Sequence, residues 1–171
     1  MSKLTAAYVA GLIDGEGCLD LARQKRIDMH GKIYYRPRLR ICLTEKEIIE
    51  WLQKSFGGNI TTRKGQNNNK DTYSWSILGK KRLLPFLRKV YPYLKIKRRQ
   101  AEILVKCFKT QDSENYTRNP FGYFPKLNEG VVEKREELYW KIRQFNQRGK
   151  FVQLERLKKA TPFRGCDSLN L

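Results

Sequence analysis

Residues 5–21, TAAYVAGLIDGEGCLDL, decide the fold of this chain. The stretch predicts a helix from about Ala6 to Gly15, with Thr5 as its N-cap, followed at once by a strand. Ala7, Gly11 and Gly15 recur every fourth residue and so share one helix face, while Val9, Leu12 and Ile13 cover the rest. A helix apolar nearly all round is expected to be buried. A mid-helix glycine costs about 1 kcal/mol relative to alanine, so Gly11 points to another backbone approaching closely. Asp14 and Glu16 stand where a carboxylate is least welcome, because a helix C-terminus already carries about half a negative charge. Sites that break a local rule are often functional, and a bound cation would resolve the conflict. The plain alternative is an ordinary helix exit, for which GEG is also suited.

Moving outward, residues 18–28 and 33–43 read as two strands joined by a turn over 29–32. In the second, Ile33, Tyr35, Leu39, Ile41 and Leu43 alternate with Tyr34, Arg36, Arg38, Arg40 and Cys42. Period two places one set on a core and three arginines on the opposite face. In the first, Leu19, Leu21 and Ile27 mark the inner face and Asp20, Gln24, Arg26 and Asp28 the outer one. Pro37 predicts an edge position or a bulge. Thr44-Glu45-Lys46-Glu47 fits a capping box opening a helix that Gly57-Gly58 ends. A second hairpin is expected near 59–64 and 72–78, with Tyr73, Trp75 and Ile77 inward and Thr72, Ser74 and Ser76 outward, then a helix over 80–90. The order αββαββα implies an α+β domain with one four-stranded antiparallel sheet. Helices are also predicted over 97–110, 131–147 and about 151–160, with an irregular connection over 111–128 and a patternless tail over 161–171.

The chain carries 36 Lys+Arg against 17 Asp+Glu, a net charge of +19, which directs attention to polyanionic partners. The four cysteines, Cys18, Cys42, Cys107 and Cys166, form no close pair, and His30 is the only histidine. That composition argues against zinc and against a disulfide framework, and the cysteines read as small core residues. The apolar run from Ala6 to Ile13 is too short to span a bilayer and lacks a signal-peptide pattern. The expectation is an intracellular protein, in an organelle or a bacterial cytoplasm, with no membrane partner and no small-molecule substrate.

Three arginines in register on a strongly basic sheet favour nucleic-acid contact over a merely solvated face. A two-stranded ribbon fits the major groove, where Arg reads guanine and Gln reads adenine. The candidates are Gln24, Arg26, Arg36, Arg38 and Arg40 in the first hairpin and Arg63, Ser74 and Ser76 in the second. The run Lys95–Arg99 opens a helix, where cations oppose the dipole unless a phosphate is near. Taken alone, Glu45 reads as a first-turn helix acid.

VAGLIDGEG, Val9 to Gly17, resembles the signature of the LAGLIDADG homing endonucleases. It departs at Val9, Gly15 and Glu16, yet keeps both acids at the right spacing. Pro92 to Ala101, PYLKIKRRQA, looks like the stretch carrying the family's active-site lysine. The resemblance implies one domain over 1–160, with a core over 1–112, C-terminal helices over 127–160 and a tail over 161–171. A single motif implies a homodimer joined through Ala7, Ala10, Gly11 and Asp14, on a near-palindromic double-stranded DNA target. Glu16 and the Gly15 carbonyl would hold Mg²⁺ or Mn²⁺, Lys97 would stabilise phosphate charge, and Asp14 would brace the helix end. Glu45 occupies the place where relatives often carry a solvent-positioning Gln, and Ile49 a place where some are basic. The implied activity is metal-dependent cleavage of both strands with 3′ overhangs, by an enzyme encoded within an intron. The alternative is a non-cleaving relative, an intron RNA maturase or a DNA-binding regulator.

Overall fold

The computed structural model describes residues 1–25, 33–67, 69–112, 116–119, 122–125 and 129–146. Arg26, Ile27, Asp28, His30, Cys166, the 29–32 turn, the expected helix over 151–160 and the tail lie outside them. The elements run α1 (Lys3–Glu16), β1 (Gly17–Lys25), β2 (Ile33–Leu43), α2 (Lys46–Phe56), β3 (Asn59–Arg63), β4 (Thr72–Leu78) and α3 (Lys80–Val90). After a 3₁₀ turn at Tyr91–Tyr93 come α4 (Arg98–Asp112), β5 (Tyr116–Asn119), β6 (Gly122–Pro125) and α5 (Glu129–Asn146). The predicted α+β order is therefore present. In place of an irregular connection, α4 continues to Asp112 and an antiparallel β5–β6 pair follows.

Helix α1 starts earlier than expected. Ser2 is its N-cap, with the hydroxyl accepting from the Thr5 amide at 3.1 Å. The capping box of α2 does not form either. Glu45 takes the N-cap position without a side-chain bond to the helix, and the Thr44 hydroxyl donates to the Glu45 carboxylate at 2.8 Å. At the far end, Gly57 caps α2 with φ +68°, and Trp75 Nε1 donates to its carbonyl at 2.7 Å. Gly58, at φ +98°, lies so close to β4 that a Cβ would stand 2.5 Å from the Ser76 carbonyl oxygen. A left-handed backbone and a tight approach together require glycine there.

One antiparallel sheet has the order β1-β2-β4-β3. Its register is continuous from Gly17↔Ile41 to Lys25↔Ile33 and from Arg38↔Leu78 to Leu43↔Tyr73. Pro37 is thus neither on an edge strand nor at a bulge. It pairs with Leu21 one step beyond the end of β4, so its missing N–H costs the β2–β4 ladder nothing. Leu19, Leu21, Leu39, Ile41, Trp75 and Ile77 face the helices, where they pack with Leu52, Leu87, Leu104, Phe108 and Ile142 in one core. Ile49 is fully buried in that core, so it has no part in a solvent shell. Of the described cysteines only Cys107 is a core residue; Cys18 is half-buried and Cys42 exposed. No described helix is long and apolar enough to cross a membrane.

Helix α1 departs most from expectation. Ala6, Val9, Ala10 and Ile13 are buried, yet the opposite face carries Leu4, Ala7, Tyr8, Gly11 and Gly15 exposed. Among the described residues only Tyr8 on this face meets a ring from another element, Trp51 at 5.8 Å between centroids, and Ala10 lies on the core side rather than with it.

Candidate active site and nucleic-acid interface

The end of α1 meets the start of α4. Asp14 places one carboxylate oxygen 2.7 Å from the Lys95 amide and the other 2.9 Å from the Lys97 amide. A carboxylate at a helix N-terminus meets unsatisfied donors, so the acid that is misplaced on α1 is well placed on α4. Lys97 returns the contact: its Nζ donates to the carbonyls of Ile13 at 2.8 Å and Asp14 at 2.6 Å. The cation that the acidic helix end calls for is thus partly supplied by the chain itself. Gly17 closes the corner in an extended conformation, φ −81°, not a left-handed one. Glycine is needed because a Cβ would lie 2.6 Å from the Ile13 carbonyl oxygen.

Glu16 is different. It is exposed, it is the last residue of α1, and it has no hydrogen bond or ion pair among the described residues. The last carbonyls of a helix, Gly15's included, lack an intrahelical donor. Among the described residues no three His, Cys, Asp or Glu side chains gather into a metal site. At this corner the chain therefore offers a free carboxylate and a helix-end carbonyl, oxygen donors that fit a hard divalent cation sharing its other ligands with phosphate, water or a second copy.

Cross-strand partners share a face, so the register lays out the sheet's outer surface. One row runs Cys18, Arg40, Ser76, Asn59, and the next Asp20, Arg38, Leu78. Beyond them Ala22 stands opposite Arg36, and Gln24 is exposed on β1. Toward the other end Cys42, Ser74 and Thr61 align, followed by Thr72 and Arg63. The Cys42 thiol donates to the Ser74 hydroxyl at 3.3 Å. A trough of about 420 Å³ joins Arg38, Arg40, Arg63, Ser74 and Ser76. The described candidate base readers therefore share one surface.

Arg38 is not free on it. Asp20 accepts from its Nε at 2.9 Å and its Nη2 at 2.6 Å, a bidentate pair that pushes the guanidinium pKa up. Arg36, Arg40 and Arg63 hold no ion pair among the described residues. Cys18 lies between this surface and the helix end. Burial first, then the Asp20 charge, pushes its thiol above the usual range, against the pull of Arg40, Arg38 and Lys97. Glu45 is fully exposed, and the Thr44 hydroxyl holds its carboxyl below the usual range, so it is ionised at neutral pH.

Two features escape sequence reading. The Asp20–Arg38 pair is set by register, which the strand pattern alone does not fix. A second trough of about 460 Å³ joins Arg36 to Asn59, Lys80, Lys81 and Arg82. The run Gly79-Lys80-Lys81-Arg82 was its visible signal, since it carries three cations straight from β4 into α3.

The LAGLIDADG endonuclease family model matches residues 9–108, more than half of the chain. DNA endonuclease I-CvuI of Chlorella vulgaris is 30% identical over 110 residues, which cover 63% of this chain and 65% of that enzyme's length. The fold is similar to the crystal structure of I-CvuI with its target in the presence of Ca, at TM-score 0.66, 22% identity and 92% of each chain covered. It is equally similar to the archaeal intron-encoded homing endonuclease I-Vdi141I complexed with DNA, at TM-score 0.68, 19% identity and 91% and 93% coverage. In I-SmaMI bound to cleaved DNA, at TM-score 0.58 and 17% identity, 97% of this chain matches only 51% of the other. With the VAGLIDGEG helix leading into an arginine-bearing four-stranded sheet, this chain belongs to the LAGLIDADG endonuclease family.

Proposed function

We propose that this chain is an intron-encoded, site-specific homing endonuclease. It acts as a homodimer and cleaves both strands of a long near-palindromic DNA target, leaving 3′ overhangs. The observation that carries the reading is the exposed Glu16, unpartnered among the described residues, at the end of a helix whose small residues Ala7, Gly11 and Gly15 are exposed. Pairing two copies through Ala7, Gly11 and Gly15, flanked by Leu4 and Tyr8, would cover that face and bring the two Glu16 side chains together. Ala10 and Asp14 serve from behind, one in the core and the other tied to α4. The half-length match to I-SmaMI agrees with two copies making the working unit.

Glu16, with the Gly15 carbonyl, would hold Mg²⁺ or Mn²⁺. When bound, the ion neutralises charge on the scissile phosphate and lowers the pKa of a bound water. Lys97 fixes the helix end and keeps positive charge beside the phosphate. Glu45, ionised at neutral pH, is an acceptor able to orient a water. Gln24, Arg36, Arg40, Arg63, Ser74 and Ser76 read and position the duplex, and Arg26, outside the described residues, is proposed with them. Arg38 contributes through its Asp20-bound guanidinium.

The test is a library of duplexes incubated with and without Mg²⁺, followed by sequencing of the ends. Metal-dependent double-strand ends at one recurring site are expected, and Glu16→Gln should lower cutting more than about 100-fold while retaining binding. Absence of such ends, or undiminished cutting by Glu16→Gln, ends the enzyme reading.

A further inference from the structure

The sheet surface does not account for the charge of +19. The helices cover the inner face of the sheet, so their own outer side looks away from the DNA-reading surface. Two parallel grooves run there, one on each flank of α4. The groove against α3 has a volume of about 410 Å³ and an apolar floor of Leu87, Ala101 and Val105, with Tyr91 at its wall and Arg88, Lys106 and Lys109 at its rim. The groove against α5, about 510 Å³, is edged by Lys106, Lys109, Lys134 and Lys141. Lys106 and Lys109 thus serve both. The two acids present are already engaged: Glu102 accepts from the Tyr91 hydroxyl at 2.6 Å, and Glu137 is paired with Lys141 at 2.5 Å.

We propose that this helical side is a second nucleic-acid site, for a single-stranded segment. Exposed cations on α3, α4 and α5 supply a backbone track, spaced by helices packed about 8–10 Å apart. The α3–α4 groove adds what a duplex cannot use: a planar Arg98 guanidinium laid on the half-buried Tyr91 ring at 4.8 Å, a stacked pair whose outer plane can take a base. Unpaired bases stack on such platforms with little regard to sequence. A base-paired strand hides those faces, and an acidic peptide supplies charge without planar rings. The proposal stands apart from the endonuclease reading, because none of these residues is among those assigned to the sheet's outer surface or to the metal-holding end of α1.

The test measures anisotropy of labelled 20-nucleotide single strands, RNA and DNA of one sequence, across a salt series. Lys106→Glu/Lys109→Glu/Lys134→Glu should weaken single-strand binding at least tenfold and flatten the log–log salt slope by about 2. Duplex binding should stay within twofold. Arg36→Ser/Arg40→Ser/Arg63→Ser should do the reverse. Preference for RNA assigns the occupant by its 2′-hydroxyls, whereas equal binding assigns it by phosphate and base alone. If the Glu triple fails to fold by circular dichroism, the Gln triple is used, with a slope change of the same size. Unchanged single-strand binding in the helical-side triple overturns the proposal. So does equal loss in both triples, or displacement by polyglutamate as effective as by unlabelled strand.

Discussion

The junction of α1 with α4 and the outer face of the sheet treat charge in opposite ways. At the junction, Asp14 and Lys97 direct their polar atoms to the backbone of each other's helices, through four bonds of 2.6–2.9 Å. On the sheet, Arg36, Arg40 and Arg63 find no carboxylate among the described residues, and only Arg38 is held. Glu16 stands on the border, two residues from Asp14 yet without a partner among the described residues. Charges fixed internally build the frame, and charges left unmatched await a phosphate or a metal. Substitutions on either side of that border should therefore separate stability from function.

The largest effect is expected at Gly11. A Cβ there meets nothing within 4 Å among the described residues of its own chain, so the described fold does not require glycine. Gly11→Leu should leave the fold intact and remove the cost of a mid-helix glycine, about 1 kcal/mol. In a two-fold interface the added bulk appears twice, and overpacking of about 1–3 kcal/mol per site would weaken the dimer by about 2–6 kcal/mol. Sedimentation against concentration, with thermal unfolding in parallel, checks both halves. A variant that stays dimeric and cuts normally removes α1 from the interface.

Asp14→Ala tests the other side of the border. It takes the acceptor from two backbone amides, each bond to a charged group being worth about 1.5–3 kcal/mol before relaxation. A loss of about 3 kcal/mol in denaturant stability is expected, with DNA affinity lowered only through unfolding. Stability unchanged beside lost cutting would move Asp14 from frame to chemistry.

That distinction marks how far the sequence could be read. The alternation of Leu39 and Ile41 with Arg38 and Arg40 sufficed to give β2 and its faces, because period two is a local property. Asp14 was legible as an acid out of place, but its partners lie more than 80 residues away, and only the packing of α4 supplies them. Sequence alone does not place the N-cap of α1, because Ser2 and Thr5 have the same capping chemistry and the choice depends on where the first turn begins. The capping box of α2 failed for a similar reason, since the Thr44 hydroxyl turns to Glu45 instead of the helix. Ala10 and Ala7 look alike in sequence, and only the direction in which α1 docks separates core from surface.

On the sheet, Arg40 and Asp20 make an opposed pair of tests. Arg40→Ala should cost about 1–3 kcal/mol and relax preference at one base step. Asp20→Ala should release Arg38, raise affinity for random duplex and steepen its salt dependence by about one phosphate contact. Binding isotherms over a salt series on specific and random duplexes resolve the two. A flat response to Asp20→Ala would mean that Arg38 already reaches the duplex while bound to its acid.

The smallest effect is expected where charges are paired at the surface, away from the core. At the β3–β4 connection Asp71 accepts from the Gly65 amide at 3.0 Å and from Lys64 Nζ at 2.9 Å. The amide first, then the ammonium, holds the Asp71 carboxyl below its usual range. A depressed carboxyl stabilises the fold above its unfolded pKa and loses that contribution as pH falls through the folded value, so the clasp should open below about pH 4. Gly65 amide exchange, corrected for intrinsic pH dependence, should rise there, and Asp71→Asn should remove the inflection while leaving the core amides untouched. Asp14 and Asp71 each accept from backbone amides, but only Asp14 joins two helices around a core. Pairing alone does not make a charge structural; the packing that the pair holds together does.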